Sequence, residues 1–301
     1  MSQQNASVKS ILFALLANLG IAITKTVAAV VTGSGSMLAE SIHSYADCGN
    51  QALLFLGLKK SKKAPEEEHP LGHGKEIYFW SFIVALMLFS MGGLFSIYEG
   101  THKLSSNEEL KSPLIAIVVL IVSIIMEGAS LYGCITQINK VKHNMSLWNW
   151  VKGTRQSELI VVLGEDSAAI LGLSFALIAV VLSAVTGNPI WDAIGSIGIG
   201  VLLILVSVFL GIKVKGLLVG QSADVRTRKD IETFLKNRPE VDKVLNIITL
   251  QMGETVMVSI KAIMHQVDSA DELISNINAC EADLKASNPA IQWIFFEPDV
   301  E

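Results

Sequence analysis

The chain has 301 residues, 51% of them hydrophobic and 17% charged, with a net charge of -5 at pH 7. Its mean hydropathy of +0.50 is too high, and its charge too sparse, for a soluble fold. So mild an acidity offers no footprint for nucleic acid, and the surroundings implied are a lipid membrane.

Six segments are long enough to cross hydrocarbon about 30 Å thick, which takes roughly 20 residues each. They run over about 9–32, 36–58, 77–100, 113–139, 157–185 and 189–212. Beyond Ile212 the sequence turns mixed and polar. The expected organisation is therefore a transmembrane domain of six helices over 1–212 and a separate domain over 213–301. The first span has no charged leader or small-residue cleavage pattern and is expected to remain in the mature protein. Its Lys25 lies about 10 Å from the outer end, within snorkelling reach of the interface, and reads as structural.

The second span carries His43 and Asp47 four residues apart, one helical turn, so both lie on one face. Ionisable groups inside a bilayer are costly and usually line an ion or proton path. The competing reading is a polar pair that joins two helices. Glu40 and Asn50 extend the same stripe and read as polar helix contacts or as entry ligands. Cys48 points about 100° away from Asp47 and reads as packing.

Between spans two and three lie Lys59, Lys60, Lys62, Lys63 and Lys75, and between four and five Lys140, Lys142, Lys152 and Arg155. The opposite side has Lys103 and Lys111. By the positive-inside rule both termini and the C-terminal domain face the cytoplasm, and the turns at 32–36 and 186–188 are tight external hairpins. The first of the lysine-rich loops also holds Glu66, His69 and His73, a carboxylate and two imidazoles at turn-like spacing. They suit a metal site on the cytoplasmic side, or else a solvated acidic run beside a turn.

Glu127 in span four lies about 18 Å from the cytoplasmic end, too deep to snorkel. It is a candidate proton relay or auxiliary ligand, or an acid hydrogen-bonded between helices. In span five, Asp166 lies about 14 Å from the cytoplasmic side, where Asp47 of span two lies at about 16 Å, so the two carboxylates share a level. Glu165 projects about 100° from Asp166 on a regular helix and is a less direct candidate. One imidazole and two carboxylates suit a first-row divalent cation such as Zn²⁺; with no thiolate on that face, Cu(I) does not fit. Asp192, at the outer start of span six, caps or lines the external mouth.

The C-terminal domain reads helix 226–237, strands 243–251 and 255–265, helix 269–286 and strand 291–296. Alternation of Val256, Val258, Ile260 and Ala262 marks a half-buried strand. Two helices on a three-stranded sheet give an α+β, ferredoxin-like arrangement. Trp293, Phe295 and Phe296 read as packing residues, within the domain or against a second subunit. Cys48, Cys134 and Cys280 are scattered across three elements and make no disulfide framework.

The chain resembles the cation diffusion facilitators, six-span metal/proton antiporters with a cytoplasmic ferredoxin-like domain. The resemblance rests on Gly33-Ser-Gly-Ser-Met-Leu-Ala39, His43-x-x-x-Asp47, Glu66-x-x-His69-x-x-x-His73-Gly-Lys75 and Asp192-Ala-Ile-Gly-Ser-Ile-Gly-Ile-Gly200, and covers nearly the whole chain. It implies a transport site at His43, Asp47 and Asp166, and a second, interfacial cation site at Glu66, His69 and His73. Family members usually have a further ligand four residues before Asp166, where this chain has Val162. Either Glu165 substitutes through a helix irregularity, or three protein ligands are completed by water, or the site prefers Mn²⁺ or Fe²⁺.

The implied function is secondary active export of a divalent transition-metal cation from the cytoplasm in exchange for protons, with zinc first and manganese, iron or cobalt after it. The metal is the substrate, and no cofactor is expected. A passive divalent-cation channel and a membrane metal sensor are the alternatives. Neither an ATP-binding Gly-x-x-x-x-Gly-Lys-Ser/Thr nor a His-Glu-x-x-His motif occurs, so the chain does not read as an ATPase or a metalloenzyme. The expected location is a bacterial inner membrane, with multiple passes.

Overall fold

The structure, a computed structural model, describes residues 18–106, 113–142 and 144–300. The first half of the first expected span and Lys111 lie outside the described residues. The chain divides into two compact units. One comprises Met1–Leu56, Trp80–Asn144 and Glu158–Lys213; the other comprises Gly57–Phe79, Met145–Ser157 and Val214–Glu301.

The first unit is helical. Helix α1 covers Asn18–Thr32 and α2 Gly35–Ser61. A third helical run contains α3 (Glu76–Met87), a π-helical stretch at Leu88–Leu94, and α4 (Phe95–Ser106). It is followed by α5 (Pro113–Val141), then, after the short α6 (Leu147–Gly153) of the second unit, by α7 (Ser157–Thr186) and α8 (Ile190–Val219).

Among the described residues, four helical runs are long and apolar enough to cross a membrane: Glu76–Ser105, α5, α7 and α8. Helix α2 has the length but not the apolarity. Glu40, Ser41, His43, Ser44, Asp47 and Asn50 are all buried, so its polar residues line the protein interior and dilute its hydropathy. Helix α5 shows the opposite pattern, with Leu114, Val118, Ile125 and Tyr132 exposed. An apolar surface of this kind is at home in lipid and would be unfavourable in water. The chain is a multi-pass membrane protein.

The hairpins at 32–36 and 186–188 form as expected. Gly33 and Gly187 adopt φ of 65° and 66° and donate back to Ala29 and Ser183, which closes α1 and α7. Asp192 then caps the next helix. Its carboxylate accepts from the Ser34 hydroxyl at 2.9 Å and the Gly35 N–H at 2.8 Å, at the start of α2. Lys103 of α4 pairs with the same carboxylate at 3.5 Å.

Glycines let α8 approach the π-helical stretch and α4 closely. A Cβ on Gly200 would lie 2.7 Å from the Gly93 carbonyl oxygen, and one on Gly100 2.8 Å from that of Ala193. Small residues at such crossings replace the hydrophobic drive that lipid cannot supply.

In the second unit, α9 (Val225–Lys236) precedes β1 (Val241–Met252), β2 (Thr255–Met264), α10 (Ala270–Ser287) and β3 (Ile291–Pro298). The sheet order is β1-β2-β3, with β1 antiparallel and β3 parallel to the central β2. Val256, Val258, Ile260 and Ala262 of β2 are buried, as the alternation requires. They pack with Ile231 and Leu235 of α9 and Cys280 and Leu284 of α10. Both helices are capped by side chains, Asp224 on Arg226 and Thr227, and Ser269 on Glu272. The first turn of α3 packs onto the β1–β2 turn: Gly253 donates to the Tyr78 hydroxyl at 3.1 Å, and Tyr78 is fully buried.

Candidate functional site

Helix α2 presents Glu40, His43, Asp47 and Asn50 along one stripe, and all four are buried. Facing this stripe is α7. Asn50 donates its amide to Glu165 at 3.0 Å, and the Asp47 and Glu165 carboxyls lie within hydrogen-bonding reach of each other. Seven residues along α7 from Glu165, on the same face, Gly172 lies against the Glu40 carboxylate. The face of α7 turned toward α2 therefore carries Glu165.

Asp166 belongs to the adjacent face. It accepts from Ser130 of α5 at 3.1 Å. Glu127 is buried three residues before Ser130, which places it on the same side of α5. The structure thus brings His43, Asp47 and Glu165 together between α2 and α7, with Asp166 and Glu127 on the side of α5. Helix α7 is continuous through Glu165, so the Glu165 contact needs no irregularity. The helix rotation, which the sequence does not reveal, chooses between the two neighbouring acids.

Several polar atoms in this cluster have no hydrogen-bond partner among the described residues: both ring nitrogens of His43, Oδ1 of Asp47, Oδ1 of Asn50 and Oε1 of Glu40. His43 Nδ1 and Asp47 Oδ1 are 3.6 Å apart. Buried groups left unsatisfied are costly, and these are nitrogen and oxygen donors suited to a divalent cation. Gly92, in the π-helical stretch, leaves room beside the ring: a Cβ there would stand 3.8 Å from His43 Nδ1. Bulges of this type are frequent at functional sites.

Lys25 corrects the snorkelling expectation. It is fully buried, with its ammonium 3.3 Å from Glu40 Oε2 and 2.8 Å from Ser44 Oγ. The long side chain finds a carboxylate inside the protein and does not reach for the interface.

A second group lies in the loop of the other unit. Glu66, His69 and His73 place ligand atoms within 4.8 Å of one another, and among the described residues they alone form such a trio. Glu66 Oε1 is 2.8 Å from His73 Nε2 and 3.3 Å from His69 Nδ1. Reciprocal backbone bonds between Glu66 and His69 fold the turn, and Gly72, at φ 81°, closes it. The His73 ring beside Glu66, with His69 adding to it, holds the carboxyl below its usual 4.5.

The chain is similar to several known proteins. Residues 11–219 match the family model of the cation efflux transmembrane domain. The mitochondrial proton-coupled zinc antiporter SLC30A9 of Homo sapiens is 35% identical over 234 residues, 76% of this chain and 41% of that protein. Metal tolerance protein C4 of Arabidopsis thaliana is 35% identical over 215 residues, 71% of this chain and 47% of its own length. Magnetosome protein MamB of Magnetospira sp. (strain QH-2) is 27% identical over 249 residues, 82% of this chain and 80% of that protein. The chain thus spans less than half the length of the first two.

Proposed function

Since the chain belongs to the cation efflux family of metal-cation transporters, also called cation diffusion facilitators, we propose that it exports a divalent transition metal, zinc first, from the cytoplasm in exchange for protons. The observation that carries this reading is the buried His43, Asp47 and Glu165 between α2 and α7, where both ring nitrogens of His43 and Oδ1 of Asp47 have no hydrogen-bond partner among the described residues. In this reading His43, Asp47 and Glu165 hold the ion, and Asp166 completes the set from the α5 side. Glu165 then supplies the carboxylate that Val162 cannot. Ligand atoms about 2.0–2.2 Å from a tetrahedral zinc stand about 3.4 Å from one another, close to the 3.6 Å between His43 Nδ1 and Asp47 Oδ1.

Ligation requires neutral imidazole and ionised carboxylates, so metal binding expels protons and returning protons expel metal. An unperturbed histidine titrates at about 6.5, which suits that exchange near neutral pH. Glu127, buried on the Ser130 side of α5, is the proposed relay for those protons. The name of the SLC30A9 relative, a proton-coupled zinc antiporter, supports both the ion and the coupling. Glu66, His69 and His73 form the proposed second cation site.

The proposal also includes six spans, with α1 and α2 joining the four apolar runs, a transmembrane domain over 1–212 and a cytoplasmic ferredoxin-like domain over 213–301, with both termini inside. A homodimer in a bacterial inner membrane completes it, the location supported by the Magnetospira relative.

The test is reconstitution in vesicles holding a pH-sensitive dye, with Zn²⁺, Mn²⁺, Fe²⁺ and Co²⁺ added in turn. Metal-dependent proton flux that is lost in Asp47→Ala is expected. Metal entry without proton flux would replace the antiporter with a channel, and binding without movement would replace it with a sensor.

A further inference from the structure

Lys25 is the one buried lysine or arginine among the described residues, in a unit that also buries Glu40, Asp47, Glu127, Glu165 and Asp166. Burying an ion pair gives little net stability, and well-packed apolar residues of similar volume often do as well or better. The place of this pair points to function. Lys25 Nζ sits between Glu40 Oε2 and Ser44 Oγ. Glu40, Ser44 and Asp47 lie at positions i, i+4 and i+7 of α2, so the ammonium rests in the stripe that carries His43 and Asp47. Glu40 lies about 5 Å along the helix axis from His43 and about 10 Å from Asp47, toward the N-terminal end of α2.

Glu40 is fully buried, and its second oxygen, Oε1, has no hydrogen-bond partner among the described residues. That oxygen faces Gly172, where a Cβ would stand 2.8 Å away, so the absence of a side chain on α7 leaves room for the carboxylate. A fully buried carboxylate with one oxygen on a cation and the other unused has the makings of a cation site with a protein-borne occupant.

We propose that Glu40 and Ser44 form a second cation position in the transport pathway, occupied by the Lys25 ammonium, which a divalent cation displaces on its way from His43 and Asp47 toward the N-terminal end of α2. The inference rests on the reading of His43 and Asp47 as the transport site. A divalent ion on those ligands repels the ammonium across a low-dielectric interior, which loosens Lys25 from Glu40 as the ion arrives. The tethered charge also keeps a second metal from settling beside the first. Lys25 thereby enforces one ion at a time and leaves Glu40 as the next station.

The test counts Zn²⁺ bound to the purified full-length chain in nanodiscs, with His69→Ala and His73→Ala removing the loop site. Lys25→Met should bind one more Zn²⁺ per chain than its parent, and Lys25→Met/Glu40→Gln should lose that added ion. Lys25→Arg should keep the parent count. An unchanged count in Lys25→Met overturns the proposal. Because Lys25→Met leaves a buried carboxylate without its partner, its folded yield is also compared with and without Zn²⁺ during expression. A yield restored by Zn²⁺ only while Glu40 is present supports the second position, and equal yields overturn it. Wild-type metal/proton exchange, measured separately, decides the transport reading on its own, so either idea can fail without the other.

Discussion

Asn50 of α2 donates its amide to Glu165 of α7 at 3.0 Å, so of the two neighbouring acids Glu165 is the one that faces His43 and Asp47. Glu165→Gln should lower metal-driven proton flux at least as far as Asp166→Asn does. Asn50→Ala should weaken apparent metal affinity by about 10–100-fold, the usual cost of removing a group that orients a ligand. Flux assays on the three variants check this. Wild-type exchange in Glu165→Gln would return the ligand role to Asp166 alone.

Asp192 accepts from Ser34 and Gly35 and pairs with Lys103, so one carboxylate joins the starts of α2 and α8 to the end of α4. Asp192→Ala should cost about 2 kcal/mol, the upper end for a lost cap, because an ion pair goes with it. Asp192→Asn should recover part of the loss. Thermal unfolding in detergent measures both, and an unchanged midpoint for the alanine variant would contradict the capping role.

Gly200→Ala places a methyl group 2.7 Å from a backbone oxygen of Gly93, which cannot move aside as a side chain can. A loss of about 1–3 kcal/mol is expected. Gly198→Ala, where nothing lies within 4 Å, is the matched control and should be near neutral. Equal melting of the two variants would refute close packing at this crossing.

The Glu66 carboxyl should titrate below 4.5, and His73→Ala should bring it back toward that value. A depressed folded pKa means that the contact stabilises the loop above the ordinary carboxylate value, and that this contribution is lost as pH falls through the lower folded value. Carbon-detected NMR of the glutamate carboxyls follows the midpoint. No change on removing His73 would show that the ring does not set it.

Much of the architecture was legible along the chain. The β2 alternation from Val256 to Ala262 predicted its buried face, because strand periodicity leaves one choice of face once a core exists. The two hairpins followed from the breaks between apolar spans, and the structure closes them at Gly33 and Gly187, which tolerate positive φ. The trio Glu66, His69 and His73 was also visible, since a short turn gathers residues that are close in sequence. Helix α6 was missed, because seven residues in a polar loop carry too little periodicity to register.

What the sequence by itself determined was local: an apolar chain, the places where it turns, and the spacing that puts His43 and Asp47 on one face. Only the tertiary structure decided how separate helices meet. A helix's rotation about its axis follows from packing with its neighbours, and that rotation gave Glu165 to α2 and Asp166 to α5. The same packing closed off Lys25, whose flexible side chain would reach the interface from an isolated helix but pairs with Glu40 once α1 and α2 lie together.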